Sequence, residues 1–186
     1  MGRRGEGAEE TRRRIVLATA DLHGEQGIAS TTMKHIAERA GVSVGTVYHH
    51  FPTLDQTIMA CGAYVMSTFP PPTEAIFDGA KTLKDRLVRV TRALFEHRDQ
   101  IGFDWVRPDQ HKVAPVRQFV VEEEAERIEL TRTALAPFKV DRDLINVCAA
   151  LLDIEVYRGL QRAGLSLDAA AEAIADVIQA RVTRKD

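Results

Sequence analysis

An all-α fold is what this sequence predicts, on three observations. Apolar residues recur at helical spacing along most of its 186 residues. No stretch alternates apolar and polar residues as a half-buried strand would. Hydroxyl residues, glycines and prolines stand where helices need starts and stops. The expected division is a polar arm over residues 1–10, a three-helix domain over 11–53 and a larger helical domain over 54–186.

Residues 1–10 are polar and glycine-rich without periodicity and read as a disordered arm, with Arg3 and Arg4 on a mobile tail. A first helix is expected over residues 10–26, with Ile15, Ala18 and Leu22 inward and Gly27 closing it. Residues 30–51, STTMKHIAERAGVSVGTVYHHF, form the most specific stretch of the chain. Ser30 or Thr31 can cap a second helix by accepting a hydrogen bond from an unpaired N–H at its start. Ile36, Ala37 and Ala40 give that helix an apolar stripe. Gly41 ends it, because glycine takes the left-handed exit without strain. Val42 plugs the following angle and Ser43 caps a short third helix. This helix turns Val44, Gly45, Thr46, Tyr48 and His49 outward and Val47 inward. Small Ala37, tight Gly41 and inward Val47 let the two helices cross as a helix-turn-helix, whose second member fits a DNA major groove.

Thr53 caps a fourth helix, with Gln56 at capping-box spacing. That helix runs through Ile58, Cys61, Val65 and Met66 to Phe69, where Pro70, Pro71 and Pro72 stop it. Leu83, Leu87, Val90, Leu94 and Phe95 mark a helix over residues 81–99, and residues 100–115 read as irregular. Phe119, Val120, Ile128, Leu130 and Leu135 mark another over 116–136, with Glu122, Glu123, Glu124 and Glu126 as its solvated face. Residues 141–163 are apolar nearly all round from Leu144 to Leu160, so this helix has to bury two faces, one on its own core and one on a partner. Ser166 caps the last helix, where Ala170, Ala173, Ile174, Val177 and Ile178 suit close helix packing. Leu151, Leu152, Tyr157, Ile174, Val177 and Ile178 are the expected contacts of a homodimer.

Composition narrows the function. At 45% apolar and 6% aromatic residues the chain can build a core. No apolar run is long enough to span a membrane. The charged N-terminus has no apolar stretch behind it and is not a secretory signal, so a cytoplasmic location without membrane contact is expected. Cys61 and Cys148 lie in helical patterns without metal-ligand spacing and read as reduced, buried thiols. A net charge of −2 excludes a general nucleic-acid coat, so DNA binding has to be local. Residues 1–53 hold seven Lys/Arg against six Asp/Glu, a net of +1, which leaves eighteen against twenty-one and a net of −3 for the remainder. The cations stand where phosphates would lie, with Arg12, Arg13 and Arg14 at the start of helix one and Lys34 on helix two. A helical enzyme would need a nucleophile–base arrangement, a phosphate loop or a metal spacing, and the sequence offers none, so no catalytic residue, cofactor or metal is expected. His97, Asp99, Asp104, Asp109 and His111 cluster without matching a ligand pattern.

The stretch TRRRIVLATADLHGEQGIASTTMKHIAERAGVSVGTVYHHFPTLDQTI resembles the N-terminal domain of TetR-type transcriptional regulators over about residues 11–58. The order of parts is the same: a basic helix start, a glycine after helix one, a Thr-Thr entry, then IA…AGVS…TVYHHF. Three positions depart from the family pattern. His23 stands where helix one usually has a core Phe, Leu54 where a Lys usually opens helix four, and Pro52 directly follows Phe51. The resemblance implies that the last two helices of each subunit form a four-helix dimer interface. It also implies that Tyr48 and His50 are a phosphate-binding pair and that His49 reaches bases.

A helix in the major groove reads bases from its exposed N-terminal side, so Val44, Gly45 and Thr46 are the base-facing candidates. Val44 can touch a thymine methyl, Gly45 permits close backbone approach, and Thr46 offers a hydroxyl. Thr32 suits a backbone contact and Lys34 a base edge. An effector pocket would draw on Val65, Phe69, Phe77, Leu94, Phe103, Trp105, Phe119 and Tyr157, which implies a mostly apolar ligand. The expected function is a ligand-responsive repressor that binds a palindromic double-stranded operator as a homodimer and is released by a small effector. The alternative is an activator of the same fold, or a regulator that works without a small molecule.

Overall fold

The computed structural model describes residues 3–102 and 112–184. Among these no strand occurs. The helices are α1 (Arg3–Gln26), α2 (Met33–Ala40), α3 (Val44–His50), α4 (Leu54–Thr68), α5 (Leu83–Ile101), α6 (Ala114–Leu135), α7 (Arg142–Leu151), α8 (Ile154–Arg162) and α9 (Leu167–Thr183), with 3-10 turns at Glu74–Phe77 and Ala136–Phe138. They form two compact units, Met1–Pro70 with Gly102–Val121, and Pro71–Ile101 with Glu122–Asp186. None of the described helices is long and apolar enough to cross a membrane.

The first unit packs α1 against α2 and α4. Its core is Ile15, Val16, Leu22, Met33, Ile36, Val47 and Phe51, with small Ala18, Ala37 and Ala40 letting the helices approach. Each of the larger side chains contributes about 1.5–3 kcal/mol by leaving water. Two expectations change here. The arm expected over residues 1–10 is helical from Arg3, continuous with α1. Glu6 lies in its first turn, where a carboxylate favours the helix dipole, and the Thr11 hydroxyl donates to the Gly7 carbonyl at 2.8 Å. The boundary expected at residue 53 falls after Pro70, because α4 buries Thr57, Ile58 and Cys61 and belongs to the first unit.

The second unit centres on Leu87, Val90, Phe95, Leu135, Leu152, Tyr157 and Ile178, all at most 2% exposed. Helix α5 packs along α9, flanked by ion pairs of Lys84 with Glu172 at 2.8 Å and with Asp176, and of Arg92 with Asp168 at 2.9 Å. Arg86 donates to the carbonyls of Ala134 at 2.8 Å and Thr133 at 2.6 Å, closing the end of α6, and its guanidinium lies 4.4 Å from the centroid of the Phe77 ring.

The single helix expected over residues 141–163 is two helices, α7 and α8, broken at Leu152 and Asp153. Asp153 makes the break, since its carboxylate accepts the Glu155 N–H at 2.9 Å and starts α8 afresh. Buried Arg127 holds the bend from α6. It donates to the Ala149 carbonyl at 2.8 Å and pairs with Asp153 at 3.1 Å. Glu123 leaves the solvated face expected of it, because it pairs with Arg98 and stands 3.7 Å from Arg127. Burial outweighs that pairing at Arg98 and holds its guanidinium below its ordinary range.

Candidate nucleic-acid interface

The turn that sets the angle between α2 and α3 is closed at both ends by side chains and one glycine. Thr32, not Ser30 or Thr31, caps α2, accepting the His35 N–H at 3.2 Å. Thr31 is buried instead and donates to the Gly27 carbonyl at 2.9 Å, which ends α1. Gly41 takes φ +66°, and the amide of Val42 returns to the Ala37 carbonyl at 3.0 Å. A residue with a Cβ would be strained at that φ. Ser43 then caps α3, accepting the Thr46 N–H at 3.0 Å.

Helix α3 is held by one side chain, Val47, which is 0% exposed, while Val44 is 38% and Tyr48 51% exposed. An exposed valine and an exposed tyrosine on a seven-residue helix gain nothing from the core, so folding leaves them free for a partner surface. Gly45 faces open space apart from the Ser43 hydroxyl. Thr46 is half-buried, and its hydroxyl lies 2.8 Å from Ser43 Oγ, which orients it at the helix start. His49 is exposed and His50 half-buried, with their rings edge to face at 5.4 Å. The α3 sequence VGTVYHH contains no Lys or Arg. Cations come from its neighbours. Arg12 lies over the Phe51 ring at 4.8 Å, which brings the basic stretch of residues 12–14 in the middle of α1 to the end of α3. Arg13 and Lys34 are exposed, each within 3.8 Å of a glutamate, Glu10 and Glu38. Such exposed pairs are weak and open readily to a phosphate.

Sequence reasoning missed the brace that holds α2 on α1. Arg39 grips Glu25 in a two-pronged pair at 2.8 and 2.6 Å, and Gln26 Nε2 lies 3.1 Å from His35 Nδ1. The hydrogen bond from Arg39 holds the Glu25 carboxyl below the usual carboxylate range. A fourteen-residue separation hides such a pair from any local pattern. Of the positions that depart from the TetR pattern, His23 is 1% exposed, and Leu54 packs partly against the domain core.

The expected effector residues do not all lie among the described ones, since Phe103 and Trp105 fall outside them, as do Asp104, Asp109 and His111. Val65, Phe69 and Phe119 belong to the first unit, where the Phe119 ring presses on Gly62 of α4. Leu94, Phe77 and Tyr157 are core of the second. Tyr157 stacks on Phe95 at 4.4 Å and donates to Asp99 at 2.7 Å, so it is fully occupied as a packing residue. Among the expected dimer contacts, Leu152, Tyr157, Ile174 and Ile178 lie at 6% exposure or less in the chain's own core, which corrects their assignment. Val177 is 55% exposed and Leu151 half-exposed, and Val147 joins them at 56%.

Residues 15–56 match the family model described as bacterial regulatory proteins, tetR family. The transcriptional regulator SrpR of Pseudomonas putida is 48% identical over 44 residues, which cover 24% of this chain and 21% of that protein. The transcriptional repressor Rv3405c of Mycobacterium tuberculosis is 43% identical over 54 residues, 29% of each chain. The match thus spans less than a third of the length of these curated relatives. The multidrug binding protein EbrR, solved with imidazole, superposes with a TM-score of 0.63 at 20% identity, covering 95% of this chain and 92% of that one, a likeness of fold.

Proposed function

We propose that this chain, a TetR-family protein through its residues 15–56, is a homodimeric, DNA-binding transcriptional repressor of the cytoplasm, released from a palindromic operator by a small effector. The observation that carries the reading is the exposed α3 face. Val44 and Tyr48 stand in water while the helix beneath them is fixed by Val47, the Ser43 cap and the Gly41 turn. A rigid element with exposed apolar and hydroxyl groups at its N-terminal end suits base edges in a major groove.

Tyr48, His50, Thr32, Arg12 and Arg13 would hold phosphates, Val44, Gly45 and Thr46 would read bases, and Lys34 and His49 would reach base edges from the flanks. With no Lys or Arg on α3, phosphate contacts supply most of the affinity and sequence readout is modest. A dimer sets two such helices about one helical turn of DNA apart, roughly 34–36 Å. An effector would act by favouring the subunit arrangement that misses this spacing, and it has to bind that arrangement more tightly. The repressor named among the relatives and the ligand-bound EbrR support repression and a small effector by analogy.

Selection of duplexes from a random library on the full chain tests the reading. A palindromic consensus is expected, bound by two chains, and a promoter carrying it should be silenced by the protein in a reporter strain. Selected duplexes without twofold symmetry, or a promoter that the protein activates, would overturn the repressor reading.

A further inference from the structure

We propose that the second unit carries an anion-binding cleft between α6 and α7 that takes a small carboxylate or an inorganic oxyanion. The cleft has a volume of about 510 Å³. Arg127, Ile128 and Arg132 line it from α6, and Arg142 and Asn146 from α7, next to small Ala149 and Ala150. Glu124, Ile128 and Arg132 on α6 and Arg142, Asn146 and Ala150 on α7 recur at steps of four, with Arg127 and Ala149 three residues from Glu124 and Asn146, so each set shares one face of its helix. The two alanines are too short to close the gap, so the helices leave space where larger side chains would interlock.

Three arginines line this space, and they are not equivalent. Arg132 is paired with Glu129, and Arg127 with Asp153, which neutralises the carboxylate on the cleft wall. Arg142 is exposed at the rim and forms no hydrogen bond or ion pair among the described residues. The Arg127 side chain is more than nine-tenths buried, and its Nε has no hydrogen-bond acceptor, with the Glu123 carboxylate 3.7 Å away. A buried charged donor without an acceptor is rare in folded proteins because nothing repays its lost hydration.

An oxyanion in the cleft supplies acceptors to the exposed Arg142 guanidinium at the rim. Guanidinium groups bind carboxylate and phosphate through paired N–H donors, and Asn146, one turn from Arg142, adds an amide donor. Glu124 and Asp153 also line the cleft, so its three arginines outnumber its carboxylates by one. No residue of the apolar effector set lines this cleft, so it is a separate site of different chemistry. Arg127 also holds the bend between α7 and α8 through the Ala149 carbonyl, so an occupied cleft stiffens that bend.

Calorimetric titration and thermal melting of the full chain test the cleft, with sodium phosphate and sodium succinate as probes at matched ionic strength. One saturable site per chain and a rise in melting temperature are expected with at least one probe. Phosphate alone identifies an oxyanion site and succinate alone a carboxylate site. Arg142→Gln should weaken binding by about tenfold and leave the anion-free melting temperature unchanged, because Arg142 is exposed. Arg92→Gln, which removes an arginine paired elsewhere with Asp168, should bind as the parent does. No saturable binding of either probe, or undiminished binding by Arg142→Gln, overturns the proposal. Neither measurement involves DNA, so the outcome is independent of the repressor reading.

Discussion

Val44 and Tyr48 lie one turn apart on α3, yet the proposed interface gives them different tasks. Tyr48 is the more exposed, and its hydroxyl suits a phosphate oxygen, so Tyr48→Phe should weaken all duplexes about equally. Val44→Ala should instead change preference at one base pair, at a cost of about 1–3 kcal/mol there. Competition across single-base variants of the selected duplex separates the two. Uniform loss from Val44→Ala would refute its reading role. Leu54 carries a different lesson. A lysine there would add a phosphate contact, but Leu54 packs partly on the domain core, so the gain in charge is set against lost burial. Cys61 gives a pH prediction. Burial pushes its thiol from an ordinary value of 9.0 up to about 12. The unfolded chain loses that proton near 9, and the folded one holds it until about 12. The contribution is therefore whole below the unfolded value and is lost as pH rises through the folded one, by up to ~1.4 kcal/mol per unit. Cys61→Ala should flatten the fall in urea midpoint between about pH 9 and 11. The slope should shrink rather than vanish, because burial and the bond to Asp99 push Tyr157 up to about 12 as well.

Helices α7 and α8 are one helix in pattern and two in fact. The apolar run from Leu144 to Leu160 contains no proline or glycine until Gly159, so nothing but Asp153 marks a stop. Asp153 becomes a cap only because Arg127 arrives from α6 to hold its carboxylate and the Ala149 carbonyl. Asp153→Ala removes the cap and strands a buried guanidinium, so a loss of about 3–5 kcal/mol in urea unfolding is expected. Asp153→Asn keeps the cap and should cost less. A loss below about 1 kcal/mol for the alanine would mean that the cap alone matters. Helix α4 depends on a close approach. A Cβ on Gly62 would overlap the Phe119 ring, so Gly62→Ala has to displace that ring. Overpacking of this kind costs about 1–3 kcal/mol. The same substitution in a Phe119→Ala background should cost much less, and a double-mutant cycle without coupling would contradict the contact.

Assembly turns on which apolar side chains remain outside once the chain has packed. Val147 and Val177 are more than half exposed on α7 and α9, two helices that pack on each other. A dimer built on them predicts that Val147→Glu or Val177→Glu gives a folded monomer, since an unpaired carboxylate in an apolar interface costs several kcal/mol. Leu152→Glu should instead unfold the second unit, because Leu152 is 2% exposed within the chain itself. Sedimentation beside circular dichroism distinguishes the outcomes. A parent chain that is monomeric at micromolar concentration, or a Val147→Glu variant that still dimerises, would remove this surface from the dimer proposal. The monomer should also lose affinity for a palindromic duplex, with only one half-site contacted at a time.

Local order alone specified the helix-turn-helix. Gly41, Ser43, Val47 and Thr53 act within four residues of their own position, through caps, a left-handed turn and one inward side chain, and such signals survive in a linear reading. The all-α class and most helix bounds followed from periodicity for the same reason. What the tertiary structure decided are the events between distant residues. Arg39 finds Glu25, Arg127 breaks a helix at Asp153, and Glu123 is drawn from the surface by Arg98. The faces of α7 and α9 belong with these. Periodicity identifies Leu152, Ile174, Ile178, Val147 and Val177 alike as apolar, and only packing separates those that fill the core from those left exposed. Burial is a property of the neighbours that fold onto a residue, and those neighbours lie tens of residues away along the chain.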